Sequence, residues 1–148
     1  MSGKNKPFRL ISAATTNKTL IHASSTSGPS VGLIALNVVN LNTEDDCYVK
    51  IYDKATTPQM YVAGIPEVPA DPEADPPTPL IPAVPAIPAD IPILTYYVAK
   101  ASSIDINCDV NCVRGLGIAI TGGVGDDDVT AVGADDVLVN VEYNVGIL

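Results

Sequence analysis

Three groups of residues in this chain have types and spacings that could do chemistry. Asp126-Asp127-Asp128 and Asp135-Asp136 could gather oxygens around Ca²⁺, which takes about six to eight such ligands. They do not follow the spacing of a calcium-binding helix-loop-helix, and aspartates in turns bond their own backbone, so they are expected to be solvated turn residues. Cys108 and Cys112, in the string CDVNC, would need two more ligands for zinc, and only Cys47 and His22 remain to supply them. Buried free thiols on a turn between strands are the expected reading. Gly115-Leu116-Gly117 and Gly122-Gly123-Val124-Gly125 resemble phosphate loops only superficially. No helix pattern follows either, and the lysine of a phosphate-binding loop is absent, which leaves strand and turn glycines. Nor does any serine, aspartate or tyrosine stand beside a base in a recognisable signature. The expectation is therefore no catalytic residue, no cofactor, no metal ligand set and no enzyme activity.

Composition narrows the classes further. The chain has 148 residues, with 47% apolar and only 17% charged, enough for one cored domain and not a disordered composition. One Phe and no Trp mean that Val, Ile, Leu and Ala must build the core. Eight Lys and Arg against 17 Asp and Glu, a net charge of −9, argue against nucleic acid and against an anionic membrane surface. No apolar run approaches the roughly 20 residues that span a bilayer, and the first residues lack the apolar core of a secretion signal. Synthesis in the cytoplasm is expected. Three cysteines are an odd number, so no disulfide framework is expected.

The elements that must position all this read as β-strands. Phe8–Ile11 and Thr19–Ala23 are short strands, and Val31–Leu41 is a β-branched run expected to be buried on both faces. Cys47–Lys54 alternates, with Cys47, Val49 and Ile51 on one face and Tyr48, Lys50 and Tyr52 on the other, as in a half-buried strand. Ile93–Val98, Ser103–Asn107, Arg114–Thr121 and Val137–Tyr143 complete the set. Many short strands with turn signals and no convincing helix predict a single all-β domain, a β-sandwich or jelly-roll-like barrel.

Two segments depart from that pattern. The first 18 residues carry Lys4, Lys6, Arg9 and Lys18 and no acid, and residues 1–7 are expected to form a flexible basic arm. Between Ile65 and Pro92 fall ten of the 13 prolines, many of them three apart. Proline fixes φ and lacks the amide donor, so helix and central strand are excluded, and a spacing of three puts the prolines on one edge of a polyproline II helix. The intervening Leu80, Ile81, Val84, Ile87 and Ile91 are apolar where a solvated linker would be polar. Residues 64–92 are therefore expected to form an extended strap packing on this domain or on a neighbouring subunit. Leu80, Ile81, Val84, Ile87 and Ile91, with the basic Lys4, Lys6 and Arg9, are the expected contact residues.

Certain strings resemble small structural proteins of tailed bacteriophages. Tyr48-Val49-Lys50-Ile51-Tyr52-Asp53-Lys54-Ala55-Thr56-Thr57-Pro58 is similar to a "YVK-Y-KA-P" segment of those proteins. Gly115–Gly123 followed by Asp126–Val132 is similar to their "GIA-AITGGA-D-DTTAV" stretch, and Asp136–Tyr143 to their "DVVVNLIY" close. The family's connection after "KA-P" is short, whereas here it is the Pro-rich strap. The resemblance implies a β-sandwich protein of the virion. A capsid decoration (cement) protein is the first expectation, binding the major capsid protein as a homo-oligomer, a trimer by preference. A tail- or head-fibre component that binds a receptor or glycan is the alternative. It implies no catalytic residues.

Overall fold

The computed structural model describes residues 5–13, 17–24 and 30–146. Eight strands follow one another: β1 (Lys6–Ile11), β2 (Lys18–Ala23), β3 (Val31–Asn40), β4 (Cys47–Asp53), β5 (Leu94–Val98), β6 (Ser102–Cys112), β7 (Gly115–Thr121) and β8 (Val137–Val145). They form two antiparallel four-stranded sheets in the orders β1-β8-β3-β6 and β2-β7-β4-β5. The pairs β1/β8, β2/β7, β3/β6 and β4/β5 are nested about the middle of the chain. One long antiparallel ribbon rolled so that successive pairs alternate between two sheets is a jelly roll.

The core lies between the sheets and is aliphatic, as the composition requires. Val31, Leu33, Val38, Val49, Ile51, Leu116, Ile118, Val137 and Val139 are fully buried in it. Alternation puts them there: β8 buries Val137, Val139 and Val141 and turns Asn140 and Glu142 outward. On the outer face of the first sheet a polar row crosses the strands. Asn37 donates to Asp105 at 2.7 Å and Asn140 donates to Asn37 at 3.1 Å, with Arg9 opposite Asn140 at the end of the row.

Several expectations change here. Lys6 and Pro7 belong to β1, opposite Tyr143 and Glu142, so the flexible arm cannot extend to residue 7; Lys4 lies outside the described residues. β3 buries alternate residues only, and its other face is half-buried. Cys108 and Cys112 sit within β6 and not on a turn. The strand continues because a bulge opposite Leu33 and Ala35 absorbs the misfit, with Asp109 at φ 47°.

Asp53, at the end of β4, holds the turn between β6 and β7. Its carboxylate accepts the amides of Val113 (3.2 Å), Arg114 (2.7 Å) and Gly115 (3.3 Å). Hydrogen bonds to a charged acceptor contribute more than neutral ones. Asp53→Ala is expected to lower stability by about 2 kcal/mol in urea denaturation; a loss within error of zero would show that water replaces the carboxylate freely.

Candidate interaction surface

The Pro-rich segment is a two-stranded ribbon that continues the β4/β5 hairpin outward. Val62, Ile65, Val68 and Asp71 pair with Ile87, Val84, Ile81 and Thr78. Each pair exchanges two backbone hydrogen bonds of 2.8–3.1 Å. Rungs recur every third residue, whereas an ordinary antiparallel ladder bonds every second. The sequence explains the change of period. Each of Ile65, Val68, Asp71, Thr78, Ile81, Val84 and Ile87 is followed by proline, which has no amide to offer. With three residues per turn, the amide-bearing residues before the prolines return to the same side and face the opposite strand. At about 3.1 Å per residue, the run from Val62 to Asp71 reaches about 28 Å.

The root is tied down by Asp90. Its amide donates to the Gln59 carbonyl (2.8 Å), while its carboxylate accepts the Gln59 amide (2.7 Å) and pairs with the Lys54 ammonium. This is a further rung on the same three-residue spacing, so the ladder runs from Gln59 to Asp90 and not from 64 to 92. Burial alone would raise the Asp90 carboxyl. The Lys54 hydrogen bond, the Gln59 amide and the charges of Lys54 and Lys18 outweigh it and hold the group below its ordinary value. A lowered carboxyl stabilises the fold above its unfolded value, and that contribution disappears as pH falls through the folded value. The Gln59 amide resonance is therefore expected to shift on acidification, with a midpoint below that of the exposed carboxylates. A midpoint at or above theirs would contradict the Lys54–Asp90 pairing.

Beneath the root, Pro58 is buried on β7, where a Cβ at Gly117 would lie 2.9 Å from its Cγ. Lys50 and Tyr52, expected on an exposed face of β4, are buried as well. Pro58 and the loop after β7 cover them, and Lys50 Nζ donates to the Gly125 carbonyl at 2.5 Å. Burial lowers the Lys50 ammonium, while Asp128, Asp126 and Asp127 counteract that effect. The aspartate run thus supplies countercharge to a buried lysine. Burial, with Asp90 and Asp126 nearby, pushes the Tyr52 phenol up to about 12, and its buried hydroxyl has no hydrogen-bond partner.

The ribbon beyond the root is not covered by its own domain. Ile65, Ile81 and Val84 remain 53–56% exposed, with Leu80 and Ile87 similar and Ile91 at 76%. The strap therefore does not pack on this domain: its backbone is satisfied by its own second strand and its side chains are left free. Its distal part carries Glu67, Asp71, Glu73 and Asp75 and no base. Lys6 and Arg9, on β1 of the other sheet, are exposed, and among the described residues no ion pair joins them to the ribbon.

Cys47, Cys108 and Cys112 are free thiols. Burial pushes Cys47 and Cys112 up to about 11, with Asp46 and Asp53 adding to it. Such thiols stay protonated and unreactive at neutral pH. Among the described residues no group of three or more His, Cys, Asp and Glu converges as a metal site would require. A cleft of about 370 Å³ beside Asn40, Asn42 and Glu44–Asp46 is polar. Its Asn40 and Asn42 side chains bond neighbouring main chain.

No protein-family model, curated protein or solved structure matches the chain.

Proposed function

We propose that this chain is a structural protein of a tailed-phage virion, a decoration protein that binds the major capsid protein of the assembled shell as a homo-oligomer. The observation that carries this reading is the ribbon: a self-paired aliphatic arm held clear of a small domain. An exposed apolar surface of this kind is hidden in function by a macromolecular partner. The similarity of the Tyr48–Pro58, Gly115–Val132 and Asp136–Tyr143 strings to small phage structural proteins supplies the kind of partner. The jelly roll supports it by analogy alone, since viral capsid domains, lectins and other proteins share that architecture. In this reading Leu80, Ile81, Val84, Ile87 and Ile91 make the apolar contacts, and Lys4, Lys6 and Arg9 add weaker, salt-screened ones. Purified protein added to capsids stripped of accessory proteins should appear as regular extra density on the shell by cryo-electron microscopy. Density at a fibre or tail, with a bare shell, would move the protein to the fibre alternative.

A further inference from the structure

Every rung of the ribbon sends its side chains the same way. The two residues of a hydrogen-bonded antiparallel pair lie on one face, and three residues per turn bring each third residue back to that face. The rungs Val62–Ile87, Ile65–Val84 and Val68–Ile81 therefore line up as one aliphatic strip, about 19 Å long from Val62 to Val68. Polar rungs close it at both ends, Gln59 with Asp90 at the root and Asp71 with Thr78 toward the tip. The six aliphatic side chains are each 47–56% exposed.

Two properties of the strip suit it to a protein contact. All six side chains are β-branched, with few rotamers to lose, and the neighbouring prolines fix the backbone beneath them. Docking therefore costs little conformational entropy. The sizes also alternate. Each rung joins one Val to one Ile, in the order Val, Ile, Val along the first strand and Ile, Val, Ile along the second. When two such strips meet about an axis running along the ribbons, each residue faces the other member of its own rung. Val62 then meets Ile87, Ile65 meets Val84 and Val68 meets Ile81. Large opposes small at every level, which fills a contact without voids or clashes. Ribbons pointing in opposite directions would set Ile on Ile and Val on Val.

We infer that the aliphatic strip of one ribbon docks on the same strip of a second copy, with the two ribbons pointing the same way. The pairing is the same about a twofold or a threefold axis. This rests on the proposed homo-oligomer and names the surface that forms it. The arrangement gathers Glu67, Asp71, Glu73 and Asp75 of each copy toward one end, and no base lies between Val62 and Ile87. Salt screens that repulsion, so association should tighten as ionic strength rises, the reverse of an ion-paired contact.

The test uses the full chain in the absence of capsids. Sedimentation velocity, with circular dichroism to verify folding, would compare wild type with three variants. These are Val68→Ile, Val68→Ile with Ile81→Val, and Ile65→Ser with Ile81→Ser and Val84→Ser. Wild type should self-associate at micromolar protein, more tightly at high salt. The triple serine variant should associate about a hundredfold more weakly. Val68→Ile adds a methylene, which would strengthen a merely sticky surface. Here it sets Ile against Ile and should weaken association about tenfold. Adding Ile81→Val should return association to within about threefold of wild type. Monomeric wild type, association that weakens with salt, or serine substitutions without effect would overturn the inference. So would a Val68→Ile chain that associates as tightly as wild type, or a double variant no better than the single one. Shell binding is read separately. Shell density from a monomeric protein refutes this contact and leaves the decoration reading standing, while an oligomer that ignores shells refutes the decoration reading and leaves this contact standing.

Discussion

Replacing residues 63–86 by Asn-Gly leaves a protein that folds and no longer self-associates or binds shells. Val62 and Ile87 are a hydrogen-bonded pair, the geometry that a two-residue Asn-Gly turn closes. The variant keeps the Gln59–Asp90 rung, the Lys54–Asp90 pair and buried Pro58. None of the removed side chains belongs to the buried core, and a shorter connection costs slightly less closure entropy. Stability should therefore change by less than about 1 kcal/mol. Association and shell binding should both fall below detection at micromolar protein, because Ile65, Val68, Leu80, Ile81 and Val84 leave together and only Val62, Ile87 and Ile91 of the exposed aliphatic contacts remain. Cooperative thermal unfolding with unchanged shell occupancy would show that the ribbon is a spacer. Loss of cooperative unfolding would show that it is part of the folding unit.

Gly115→Ala should produce the largest loss of stability of any methyl-sized change outside the core. β7 begins there, between β2 and β4. A Cβ at this position would lie 2.3 Å from the Lys54 carbonyl oxygen and 2.7 Å from that of His22. Both are main-chain atoms tied into the sheet, since Lys54 donates its amide to Gly115 and Ser24 donates to Arg114. Neither can swing aside as a side chain would, so the strands must part and weaken the ladder on both sides. A cost of at least about 3 kcal/mol is expected, a fall in Tm of roughly 6–12 °C. Gly125→Ala is the control: its nearest neighbour is a side-chain oxygen of Asp127 at 3.1 Å, which can move. Equal melting of the two variants would mean that the sheet at Gly115 yields easily.

Neither variant could have been chosen from local pattern alone. Alternation of apolar and polar residues in Cys47–Asp53 and Val137–Val145 is a local property, and it identifies strands, the all-β class and the inward residues Val49, Ile51, Val139 and Val141 without any knowledge of partners. Proline spacing is equally local. It excludes helix and ordinary strand from the segment after Ile65 and marks its aliphatic residues as available for contact. The tertiary structure decided what depends on residues far apart in the chain. Pairing of Val62 with Ile87 and Val68 with Ile81 turns the strap into a ribbon that satisfies its own backbone and so stands clear of the domain. Burial of Lys50 and Tyr52 follows from Pro58 and the loop at Gly125 crossing an otherwise outward face, which periodicity within β4 cannot reveal. Cys108 and Cys112 read as a turn because the bulge that carries β6 past Asp109 exists only against β3.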